Sequence, residues 1–141
     1  MPQERTLVMI KPNAVKKNAI GAIIHLFESR GLRVVGARLE HLSKETCERF
    51  YAEHNGKFFF DGLMEFMSSG PTMLLALEGQ DAISLAREIM GDTDPEKAAA
   101  GTIRAEYADS MTENAVHGSD SPTSAQRELE FHFELDQLYN C

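Results

Sequence analysis

The 141-residue chain has no tryptophan, five prolines and only two cysteines. It also has no apolar run approaching the ~20 residues that a membrane-spanning helix requires. The longest runs, Leu7–Ile10 and Met73–Leu77, suit buried strands. Cys47 and Cys141 build neither a disulfide framework nor a metal-ligand spacing, so a reduced, cytoplasmic setting is expected. The opening Met1-Pro2-Gln3-Glu4 lacks a basic stretch followed by an apolar one, and no secretory leader is expected. Neither G-x-x-x-x-G-K-[ST] nor G-x-G-x-x-G occurs, which removes most of the weight from a P-loop enzyme and from a dinucleotide-binding one. The five histidines show no H-E-x-x-H spacing, so no metal-ligating residues are assigned.

Positive charge is scarce at one end. The net charge is −8, and residues 106–141 carry Arg127 against eight acids, while residues 1–105 carry 13 basic and 14 acidic side chains. Non-specific nucleic-acid binding rests on many Lys and Arg displacing counterions, so no nucleic-acid partner is expected, and no membrane partner either. The acidic excess reads as solubility, with adaptation to salty surroundings as the sharper alternative. Any phosphate bound here must be held by a few placed cations.

Forty-three percent hydrophobic residues at this length give one globular domain over 1–141, with no repeat or linker to divide it. Arg5–Ile10 reads as a buried strand, and Ile20, Ile23, Ile24 and Phe27 form one face of a helix stopped at Gly31. Leu32–Leu39 reads as a second strand. Ser43 caps a helix running to about Glu53, with Leu42 and Cys47 as a hydrophobic staple. A short helix from Phe58 to Ser69, a strand at Met73–Leu77 and a turn at Gly79 follow. Ile83, Ala86, Ile89 and Met90 then give a helix closed by Gly91. Residues 92–120 have little periodicity and read as a long irregular segment. Ser121-Pro122 signals a helix start, and the alternation of Leu129, Phe131 and Phe133 with Glu128, Glu130, His132 and Glu134 predicts a closing strand. The order points to an α+β fold, with a ferredoxin-like βαββαβ four-stranded antiparallel sheet and helices packed on one face as the simplest match.

His25 reads as structural, and His41, His54 and His132 as surface or edge residues. His117 differs. It lies among small and polar residues, in Thr112-Glu113-Asn114-Ala115-Val116-His117-Gly118-Ser119-Asp120, just before a capped helix. Taken alone, it is either a turn histidine or a functional one. Lys11 just past the first strand, Arg87 near the end of its helix and Arg104 in the irregular segment are the cations available to a triphosphate. Phe59 and Tyr51 offer an aromatic slab and a phenol.

Asn114-x-x-His117-Gly118-Ser119-Asp120, together with Ile10-Lys11-Pro12-Asn13-Ala14-Val15 and Ser69-Gly70-Pro71, resembles the nucleoside diphosphate kinase family, in its bacterial form, from Glu4 to about Phe133. The resemblance implies transfer of the γ-phosphoryl of a nucleoside triphosphate, typically ATP, to a nucleoside diphosphate, by a ping-pong route through a phosphohistidine. It implies His117 as nucleophile, phosphorylated at Nδ1. Glu128 bonds the imidazole, Ser119 orients that carboxylate and contacts the reacting phosphate, and Tyr51 steadies the site. Lys11, Arg87, Thr93, Arg104 and Asn114 hold phosphates and sugar, and Phe59 stacks on the base. Mg²⁺ arrives on the substrate phosphates. The family self-associates, and a homodimer is favoured here, with tetramer or hexamer open. Glu134, on the outer face of the expected closing strand, is the residue that would limit assembly.

Competing readings are a small-molecule-binding domain on the same scaffold, a histidine phosphotransfer module, and an inactive relative serving as an assembly partner. The cations in loops and helix ends speak against the first. The loop context of His117 speaks against the second. The presence of every expected site residue speaks against the third.

Overall fold

The structure, a computed structural model, describes residues 3–140; the readings at Met1, Pro2 and Cys141 lie outside them. In chain order the elements are β1 (Gln3–Ile10), α1 (Pro12–Lys16), α2 (Ile20–Ser29), β2 (Arg33–His41), α3 (Lys44–Phe50), α4 (Phe60–Met67), β3 (Pro71–Gln80), α5 (Ala82–Met90), α6 (Ile103–Tyr107), β4 (Val116–Gly118) and α7 (Pro122–His132). Short 3₁₀ turns lie at Ala52–His54 and Leu135–Gln137. No helix among the described residues is long and apolar enough to cross a membrane.

The four strands form one antiparallel sheet in the order β2-β3-β1-β4. This is the ferredoxin-like α+β arrangement. Helices cover both faces rather than one. Val8 and Ile10 of β1 pack with Ile23, Phe27, Ala86, Ile89 and Met90 from α2 and α5. Leu7 and Met9 pack with Cys47, Phe50, Met64, Met67 and Leu129 from α3, α4 and α7. A strand covered on both sides needs apolar residues at every position, which explains the unbroken Leu7–Ile10 run. Ser43 caps α3 by accepting from the Thr46 N–H at 3.1 Å, and Leu42 and Cys47 are both buried, as the staple requires.

The principal correction is at the C-terminal end. The expected closing strand is helix α7, capped by Ser121 with Pro122 in its first turn. Its buried positions Ala125, Glu128, Leu129 and His132 recur at helical spacing, and two of them are polar. The fourth strand is instead the three-residue β4, so His117 sits on a strand and not in an irregular loop. The 92–120 segment also holds α6. Gly79 lies within β3, opposite Glu4, and the chain turns at Asp81. His132 is buried rather than at a surface or edge. Glu134 lies beyond α7, exposed, where it starts the last 3₁₀ turn. The strand face that motivated its role in assembly does not exist.

Candidate active site

β1 is the axis of the site. His117 pairs with Met9 across the β1–β4 ladder. Lys11 follows the end of β1, and its N–H donates to the Ala115 carbonyl at 2.7 Å. Immediately before β4, Ala115 has φ +75°, and the Val116 N–H donates back to the Asn114 carbonyl at 2.9 Å. That closes a three-residue γ-turn of the rare positive-φ kind. A residue held this way costs about 1–3 kcal/mol and persists only where the surroundings dictate it. Here the turn aims Asn114 and His117 at the same space.

A cavity of about 650 Å³ opens there. Lys11, Tyr51, Phe59, Arg87, Thr93, Arg104, Asn114, His117 and Glu128 line it, so nine of the ten residues singled out from sequence converge. Ser119 is the tenth and does not line the cavity.

The imidazole is held from behind. His117 Nε2 lies 2.9 Å from Glu128 Oε1. A carboxylate only accepts, so Nε2 carries the proton and Nδ1 is left with the lone pair. The Ser119 hydroxyl donates to the same Glu128 oxygen at 2.8 Å and accepts from the Leu7 N–H at 3.3 Å. Ser119 therefore orients the carboxylate. The hydroxyl is buried and its one proton is committed to Glu128, which leaves none for the expected contact with a reacting phosphate. Burial alone would push the Glu128 carboxyl up. The hydrogen bonds from His117 and Ser119 and the Arg127 charge outweigh burial and hold it below the ordinary carboxylate range. Glu128 reaches His117 from helix α7, not from a strand, and its position four residues before His132 puts both on the inward face.

Phe50 and Tyr51 wall the ring edge-on, with centroids 5.6 and 6.2 Å from that of His117. Tyr51 is buried, with its hydroxyl 4.0 Å from Met9 Sδ. Burial, with Cys47 and Glu128, pushes its pKa upward, so it stays a neutral phenol.

The cations form a second part of the lining, which we call the cation wall, and two of them bond the carbonyls on either side of His117. Lys11 Nζ donates to Asn114 Oδ1 at 2.8 Å. Burial and the nearby Arg104 lower its pKa from 10.5 to about 7. Arg104 donates to the Gly91 and Val116 carbonyls, both at 2.9 Å, and Arg87 to the Gly118 carbonyl at 3.3 Å. Burial and the Arg87 charge bring Arg104 down to about 10. Gly91 has φ +87°, and a Cβ there would meet Thr102 Oγ1 at 2.5 Å, so only glycine lets this carbonyl reach Arg104.

Sequence reasoning missed His54, Phe58, Leu63, Met111, Thr112 and Asp120 on the lining. His54 is tilted against both Tyr51 and Phe59, with centroids 6.2 and 5.6 Å away, and is no ordinary surface histidine. Asp120, in the quoted His-Gly-Ser-Asp element, was the one of these with a signal in the sequence.

The family model described as nucleoside diphosphate kinase matches residues 4–138. The nucleoside diphosphate kinase of Aquifex aeolicus is 41% identical with a TM-score of 0.95, and the match covers 98% of this chain and all of that one. The halophilic nucleoside diphosphate kinase of Halobacterium salinarum, solved in complex with CDP, is 40% identical with a TM-score of 0.96, over 99% of this chain and 93% of that one. A nucleoside diphosphate kinase family protein from Babesia bovis is 38% identical with a TM-score of 0.92, over 98% of this chain and 93% of that one. With matches over nearly the whole chain and the cavity built as described, the chain belongs to the nucleoside diphosphate kinase family and is an enzyme of that kind.

Proposed function

We propose that this enzyme moves the γ-phosphoryl group by a ping-pong route through a phosphohistidine at His117. The observation that carries the reading is the His117–Glu128 contact at 2.9 Å, because it fixes which ring nitrogen is free to attack. Nδ1 forms a bond to Pγ as the bond from Pγ to the bridging oxygen breaks. The electron pair leaves with the nucleoside diphosphate. The phosphorylated ring keeps its Nε2–H, and the Glu128 carboxylate stabilises the positive charge that develops there. In the second half-reaction the terminal phosphate oxygen of an acceptor diphosphate attacks the same phosphorus, and Nδ1 takes back its electron pair.

Phosphoryl transfer needs positioning and charge stabilisation more than acid–base chemistry. Lys11, Arg87 and Arg104 suit the phosphate oxygens, with Thr93 and Asn114 beside them for phosphate and sugar. Phe59 offers a stacking face, and stacking tolerates every base. Mg²⁺ would arrive on the substrate phosphates and offset part of their charge, leaving Lys11, Arg87 and Arg104 to hold the remaining phosphate oxygens. We further take the chain to act as one domain in the cytoplasm and to self-associate, with a homodimer as the working assembly.

The test is to mix the protein with γ-labelled ATP and look for acid-labile, base-stable label. GDP or CDP should then discharge it as labelled triphosphate. A label that forms on His117→Ala at wild-type stoichiometry would overturn the assignment.

A further inference from the structure

Phe58 is fully exposed, yet it lines the same cavity as His117. A lone exposed phenylalanine carries no meaning by itself. Two observations give this one a role. It shares the cavity lining with the apolar side chains Phe59, Leu63 and Met111. Its ring also lies at 88° to that of Phe59, with centroids 5.5 Å apart. A base stacked on Phe59 lies parallel to that ring and therefore at right angles to Phe58. Perpendicular aromatic contacts are a favoured geometry, because the positive edge of one ring meets the negative face of the other. Both rings come from one short segment, so the corner they form is set locally.

Resting on the reading that this cavity takes the nucleotide, we propose that Phe58 is a second aromatic contact for the base and favours purine over pyrimidine nucleoside diphosphates. A single-ring base stacked on Phe59 leaves Phe58 in water. A two-ring base, anchored by its phosphates on the cations, extends further across the corner and meets it. The base-tolerant stacking on Phe59 supplies affinity, and the perpendicular contact supplies the preference.

The absence of tryptophan gives a direct probe. Phe58→Trp is the chain's only tryptophan, and its emission should change on titration with GDP and change much less with CDP at matched saturation. Separately, Phe58→Ala should lower the ratio of kcat/KM for GDP over CDP by about threefold to tenfold, the size of one aromatic pair. An unaltered emission with saturating GDP, or an unaltered GDP-to-CDP ratio in Phe58→Ala, overturns the proposal. If that unaltered ratio comes with a smaller mass by light scattering, Phe58 belongs to a contact between copies of the chain instead. Labelling of the wild type by ATP is measured alongside. Absence of that label defeats the phosphohistidine reading, whereas normal label with an unaltered ratio defeats only the role of Phe58.

Discussion

The His117 wall and the Lys11–Arg104 wall of the same cavity treat buried charge in opposite ways. Behind His117, the Glu128 carboxylate is fully answered, by the imidazole at 2.9 Å, by Ser119 at 2.8 Å and more distantly by Arg127 at 3.5 Å. On the cation wall, buried Lys11 and Arg104 and the exposed Arg87 are held by an amide oxygen and by carbonyls. Among the described residues none of the three is ion-paired. Arg104 Nε is buried with no partner at all. Lys11 and Arg104 are buried without an ion pair, which is costly, and their lowered pKa values express that cost, offset in part at Arg104 by the Asp92 charge. On the proposed reading, one wall is complete in the free protein and carries the chemistry, while the other is left unfinished for the anion of the substrate.

Removing the nucleophile should break the first wall outright. His117→Ala is expected to abolish phosphoenzyme formation and transfer, measured by label and by coupled assay, while circular dichroism and melting temperature stay close to wild type. The reason is that β4 keeps its ladder to β1 without the ring.

A test of the second wall separates binding from stability. Lys11→Met should lower kcat/KM by at least about tenfold, or ~1.4 kcal/mol. The nucleotide-free variant should melt no lower than wild type, since replacing an unpaired buried charge by an apolar group is often neutral or stabilising. The wild type should also take up protons on binding nucleotide near pH 7, because an anion favours the charged ammonium of a lysine whose pKa is about 7. Calorimetry in buffers of different ionisation enthalpy reads this directly, and Lys11→Met should lose it.

Glu128→Gln keeps an acceptor for the Nε2–H but removes the charge. Here kcat should fall about tenfold while KM changes little, because the carboxylate acts on the charge that develops during transfer. Equal changes in kcat and KM would place Glu128 in binding instead.

The smallest effect lies behind the first wall. His132 is buried between Phe50 and Phe131, with centroids 4.8 and 4.9 Å away, and its Nε2 has no partner. Burial, then Arg38 and His117, lower its pKa from 6.5 to about 4, against a smaller opposing effect of Glu128. Between those values the folded protein binds fewer protons than the unfolded chain. Stability from this residue is therefore whole above about pH 6.5 and is lost as the pH falls through 4, by up to about 3 kcal/mol. His132→Phe should narrow the gap between urea-unfolding free energies at pH 7 and pH 4.5. An unchanged gap would assign the acid limb to the carboxylates.

The helices α2, α3, α4 and α5 and the strands β1, β2 and β3 were legible because their buried positions are apolar. The start of helix α7 was legible in Ser121-Pro122, but its C-terminal half was not, for the same physical reason that it matters. Two of its inward residues are Glu128 and His132, which a hydrophobic pattern counts as outward. Discounting them leaves Leu129, Phe131 and Phe133, a false period of two. β4 is three residues long and too short to show any period. The site residues were legible through the quoted motifs, which pair chemistry with spacing. The role of Ser119 needed the structure, because only the fold reveals that its hydroxyl is taken by Leu7 and Glu128. The places of His54 and Phe58 on the cavity lining follow from how residues 52–59 fold against the rest of the chain, which no local pattern encodes.

The position of β1 at the centre of the sheet has a consequence for how the enzyme forms. Leu7 and Ser119 bond each other across 112 residues of sequence. Met9 and His117 are similarly distant partners, and β1 also waits for β3. Pairings this far apart in sequence form slowly, because the loop between them must close before any contact rewards it. During synthesis the apolar β1 segment therefore emerges long before either of its neighbours and stays an open, adhesive edge in the meantime. On the proposed roles of His117 and Glu128, catalytic competence is acquired late, when β4 and α7 dock together, so a chain stalled before residue 128 has most of its core and none of that chemistry.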